Sequence, residues 1–146
     1  MKQLVAVLAV NAALTVPVHA QAWHMYHRTD DHSLGLLDKP MPATYRVDMQ
    51  SLVRRGDKVY ANTQPYFFPD PGRSFPGEVI PVNANCDKAL LTIEIGTRPI
   101  SYQRVGSEWW LPRSVATGKR PDSFDFKDSN AYYDQMYNSL FSILCQ

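Results

Sequence analysis

The stretch from Asn130 to Cys145 constrains the fold more than any other part of the chain. Tyr133, Met136, Tyr137, Leu140, Phe141, Leu144 and Cys145 recur at alternating steps of three and one, the spacing of one buried face of an α-helix. Gln135, Asn138, Ser139 and Ser142 fall off that stripe. Asp128 or Ser129 would cap the first turn by accepting an orphan backbone N–H. The stripe ends on a cysteine, and the sequence holds only one other, Cys86. A helix with one apolar ridge needs a surface to cover, and the cysteine pair offers a covalent tether to that surface.

The first twenty residues read as an address. Lys2 supplies a positive start, Leu4 to Val16 is apolar apart from Asn11 and Thr15, and Val18-His19-Ala20 places small residues where a signal peptidase reads them. This predicts a secretory signal peptide, residues 1–20, cleaved after Ala20. A second cut would follow Ala22. The run is too short and wrongly flanked for a membrane anchor, and no second long apolar run appears, so no transmembrane segment is expected. Residues 21–146 are the size of one domain, with 21–42 as a flexible N-terminal segment. The expected address is periplasmic or secreted. In that setting two cysteines predict a Cys86–Cys145 disulfide, closing a loop of about 60 residues worth roughly 4 kcal/mol in the chain-entropy model. Without Lys2, fourteen basic residues balance fourteen acidic ones. That balance argues against a general nucleic-acid or anionic-membrane binder.

Between these ends the pattern is one of strands. Tyr45, Val47 and Met49 alternate with Arg46 and Asp48, predicting a half-buried strand over 44–49. Ser51 to Lys58 reads as a turn with Gly56-Asp57 at its tip. Val59 to Phe68 reads as a strand in which Pro65 favours an edge or a bulge. Proline and glycine make 69–77 a loop. Further strands are predicted at 78–85, 89–95, 97–104 and 108–111, and Arg113 to Lys127 reads as a long loop. Consecutive strands with short turns favour an antiparallel sheet. The expected fold is therefore α+β: an antiparallel sheet of about five to six strands, covered by a C-terminal helix and stapled by one disulfide.

Trp23, the run Tyr45-Arg46-Val47-Asp48 leading to Ser51-Leu52, the turn Arg55-Gly56-Asp57-Lys58-Val59, Asn85-Cys86-Asp87 after a strand and a penultimate cysteine together resemble the surface-adhesin protein E-like domain family of Gram-negative exported proteins. The resemblance implies an antiparallel sheet on a C-terminal helix with a disulfide between them. For the family's namesakes it also implies adhesion to host proteins. The chain departs from the pattern in lacking a lipobox cysteine and in its long segment between Trp110 and the helix.

Little in the sequence points to a reaction. There is no Gly-x-Ser-x-Gly elbow and no Gly-rich phosphate loop, and any Ser-His-Asp set must draw its base from 24–32. The chain reads as non-enzymatic and without a cofactor, with a small secreted hydrolase as a distant alternative. His24, His27 and His32 with Met25, Asp30 and Asp31 offer donors suited to copper, nickel or zinc, at a spacing that matches no established zinc motif. A periplasmic metal-binding protein is thus the second reading. Arg55-Gly56-Asp57 spells an integrin-binding tripeptide and reads more simply as a hairpin turn. The dense aromatics are the leading candidates for contact with a protein partner at the envelope or a host surface, or with a second copy of the chain: Tyr66, Phe67, Trp109 and Trp110. Adjacent residues on a strand point to opposite faces, so one of Trp109 and Trp110, and one of the Phe67-Phe68 pair, should face away from the helix.

Overall fold

The computed structural model describes residues 22–30, 41–120 and 129–146. The expected signal peptide, Asp31, His32, Asp128 and the end of the expected 113–127 loop lie outside them. The described strands are β1 (Trp23–Thr29), β2 (Ala43–Arg55), β3 (Lys58–Phe67), β4 (Phe75–Pro76), β5 (Ile80–Asn85), β6 (Leu90–Ile95), β7 (Arg98–Val105) and β8 (Glu108–Trp110), and the helices are α1 (Pro112–Thr117) and α2 (Ser129–Leu144). Every strand pairing is antiparallel. Seven strands follow one another in the order β1-β2-β3-β5-β6-β7-β8, with β4 beside β3. The sheet curls into a half-barrel with α2 on its inner face.

The α+β architecture matches the sequence expectation, and the helical stripe is the reason. Met136, Tyr137, Leu140, Phe141 and Leu144 are buried against Val47, Val59, Val82, Leu91, Ile93 and Trp109 of the sheet. Each side chain of that size gains about 1.5–3 kcal/mol on burial. Cys86, just past β5, is bonded to Cys145, just past α2, with Cα atoms 5.6 Å apart, so the tether fixes the end of the ridge on the sheet.

Four expectations change. The sheet has eight described strands, not five to six. Part of the expected flexible segment, residues 23–29, is strand β1, in register with β2 from Trp23↔Asp48 to Thr29↔Ala43. The expected turn over 51–58 is mostly strand, since β2 continues to Arg55 through a register shift between Asp48 and Val53. Asp48 Oδ1 accepts the Gln50 N–H, while Ser51 Oγ donates to Asp48 C=O and accepts the Asn62 N–H. The turn-forming side chains thus close a bulge instead of reversing the chain. In the expected 113–127 loop, Pro112 at the first turn and Gly118 in a left-handed C-cap (φ 67°) frame the short helix α1, the usual placement of these two residues.

Pro65 sits where β3 changes neighbours. β5 pairs with β3 as far as Thr63↔Ile80 and β4 takes over at Tyr66↔Pro76, so the residue without an N–H falls in the gap between two ladders.

Candidate binding surface

The antiparallel register sorts each strand into an inner set beneath α2 and an outer set facing away from it. On β8 the expected division holds. Trp109 is 3% exposed and lies against Phe141 and Tyr137 of α2, with ring centroids 5.2 and 6.4 Å away. Trp110 is half-buried on the outer face, and its indole N–H donates to Glu108 Oε2 at 2.8 Å. Trp109, named as a contact residue from the sequence, is therefore corrected to a core residue: the helix ridge occupies the face it would have offered. Phe67 is also on the inner side, half-buried against Phe75 at 5.3 Å.

Tyr66 lies on the outer face, and there β1, β2 and β3 build a platform. The rung Met25–Arg46–Gln64 crosses all three strands. The Arg46 guanidinium carbon is 4.1 Å from the centroid of Tyr66 and 5.4 Å from that of Trp23. Arginine stacks on aromatic faces in this way because its planar cation is weakly hydrated and drawn to the ring quadrupole. Phe68 extends the array, 6.1 Å from Tyr66. Met25 is 52% and Phe68 38% exposed, so the platform has an apolar rim open to solvent. Beside it lies an open groove of about 680 Å³, lined in part by Arg28, Thr44, Phe68 and Arg73. Trp23 carried no signal of this role beyond its type. Its place on the outer face follows from β1 joining the sheet, which the mixed His, Met and Asp composition of 23–32 hid.

The inner side of β1 is a tyrosine-rich seam. The β1 register shifts between Met25 and His27, so the extra residue Tyr26 and its neighbour His27 both face α2. His27 lies edge-on to Tyr132 at 5.1 Å and near Tyr45 at 5.9 Å. The Tyr132 and Tyr45 hydroxyls share a hydrogen bond of 2.9 Å. Burial pushes the Tyr132 hydroxyl up to about 12 and those of Tyr26, Tyr45, Tyr133 and Tyr137 up as well. These phenols stay neutral across physiological pH and serve packing. Burial also lowers the His27 pKa, and its Nε2 is buried without a hydrogen-bond partner. His24 is exposed. Among the described residues no group of three or more His, Cys, Asp and Glu is placed to hold a metal ion. At the β2–β3 hairpin the Asp57 carboxylate accepts a 2.7 Å hydrogen bond from Asn85 and Arg55 lies 5.8 Å from the Tyr60 ring, so the tripeptide's charged ends are held by their own sheet.

No family model matches this chain. No curated protein and no solved structure matches it either. No described helix is long and apolar enough to cross a membrane.

Proposed function

We propose that the protein is an exported binding module that holds a protein partner at the cell envelope through the outer face of β1–β3. The observation that carries this reading is the platform itself: Arg46 stacked on Trp23 and Tyr66, rimmed by exposed Met25 and Phe68. Aromatic residues and arginine are the side chains most enriched at interface hot spots. They add little ordering cost on binding when already fixed by stacking. The disulfide supports an oxidising compartment, in keeping with the leader-like residues 1–20, and the resemblance to adhesin E-like domains supports a binding role. Trp110 is separated from the platform by β5, β6 and β7 in the strand order, so the contact centres on Tyr66 and not on the tryptophan pair.

A photo-crosslinking amino acid at position 25, on the platform rim, tests this against the same group at Gln135, an exposed residue on α2. Crosslinks to one partner from position 25 and none from 135 support the reading. Equal yields, or crosslinks from 135 alone, refute it.

A further inference from the structure

We infer that Arg46 is the receptor for a carboxylate on the bound partner. The inference rests on the outer-face reading and names its chemistry. Among the described residues no acidic group forms an ion pair with Arg46. Its nearest acidic neighbour along the same face of β2 is Asp48, whose carboxylate is buried and accepts the Gln50 N–H. Arg46 Nε is buried with no hydrogen-bond partner. The cation is thus partly taken out of water, stacked on two rings, and without an ion-pair partner among the described residues. Arg46 is half-buried, and an enclosed N–H with no acceptor carries a desolvation cost that stacking on Tyr66 and Trp23 does not remove by hydrogen bonding. The planar fork fits a carboxylate with two parallel N–H···O bonds, a pairing stronger and more directional than a point charge provides. With Nε enclosed, the terminal Nη1–Nη2 end is the part that meets the ligand. The adjoining groove, lined by Arg73 and Asp70 and by Arg28, itself paired with Asp30 at 3.8 Å, has room for the rest of the ligand but adds no clear surplus of positive charge.

The carboxylate belongs to an acidic side chain of the protein partner, and two probes set this against a sugar acid: an acetylated glutamate-containing tripeptide and galacturonate. Each is titrated into the disulfide-bonded protein while the Arg46 side-chain Nε–H resonance is followed by NMR. The glutamine-containing tripeptide serves as the neutral control. Saturable movement of that resonance with the glutamate-containing tripeptide, absent with the neutral control and weakened at least tenfold in Arg46→Lys, is the expected result. No movement with the tripeptide at millimolar concentration overturns the inference, whether or not galacturonate moves the resonance, as does equal affinity in Arg46→Lys. The wild-type titration stands alone if the variant folds poorly. Crosslinking from position 25 that persists in Arg46→Lys but is lost in Tyr66→Ala would retire the carboxylate and keep the surface. Crosslinking that survives both substitutions would retire both.

Discussion

Trp109 and Asn138 are joined by a 3.0 Å hydrogen bond from the indole N–H to the amide oxygen, and the same amide donates to Ser107 C=O at 2.7 Å. One turn earlier on α2, Asp134 accepts the Trp109 backbone N–H and holds Arg120 through two nitrogens at 2.8 and 2.6 Å. Helix and last strand are therefore locked by a polar edge beside the apolar ridge. Asn138→Ala leaves a buried indole N–H unpaired, which costs about 1–3 kcal/mol. Urea unfolding followed by tryptophan fluorescence should show a midpoint shifted down with little change in slope.

The tether makes a larger contribution. Replacing both Cys86 and Cys145 by serine releases a loop spanning 59 residues in sequence, and the expected loss is roughly 4 kcal/mol. Reduction of the wild-type protein should lower its denaturation midpoint to near that of the double variant. A midpoint unmoved by reduction would show that the ridge holds without its staple.

His27 should make stability depend on pH. Its folded-state pKa is lowered by burial, so the folded protein keeps the ring neutral while the unfolded chain takes up a proton near pH 6.5. Stability is therefore full above about pH 6.5 and falls as pH drops below it. The decline stops only once pH passes below the folded-state pKa. Unfolding free energies at pH 7.5, 6.5 and 5.5, compared with those of His27→Phe, check this: the wild type should weaken over that range more than the variant does.

Gly77 is needed for close approach. A Cβ at this position would lie 2.6 Å from Pro65 Cγ and 2.8 Å from Phe67 Cε2, while the Gly77 N–H donates to Pro65 C=O at 2.8 Å. The proline ring cannot swing aside. Gly77→Ala should cost about 1–3 kcal/mol through overpacking and loosen β4, seen as faster amide exchange at Phe67 and Phe75.

Periodicity and turn chemistry made the strand-and-helix plan legible, because burial beneath α2 imposes a period of two on β3, β5 and β6 and a helical period on the ridge. The disulfide followed from there being two cysteines. The short helix α1 and strand β4 lay inside segments that read as loops, and two larger features also escaped. Asp48 and Ser51 carry turn-forming side chains whose local hydrogen bonds serve a bulge as readily as a turn, so β2 looked shorter than it is. Residues 23–29 form an edge strand with one bulge, and that bulge breaks the alternation that would have marked it. Missing β1 meant missing the platform: Tyr66 was visible as an aromatic on a strand, but its partnership with Trp23 and Arg46 exists only once β1, β2 and β3 lie side by side. Trp109 and Trp110 look alike in sequence, and only the register decides which belongs to the core.

The outer face of β1–β3 is the place where we propose that a partner is held. Surface plasmon resonance with the protein recovered by crosslinking at position 25 measures this most directly, comparing the wild type with Tyr66→Ala and Gln135→Ala. Tyr66→Ala should raise the Kd at least tenfold, a loss of about 1.4 kcal/mol or more, with Gln135→Ala within twofold of wild type. A Tyr66→Ala variant that keeps its fold and binds as tightly as the wild type would contradict it.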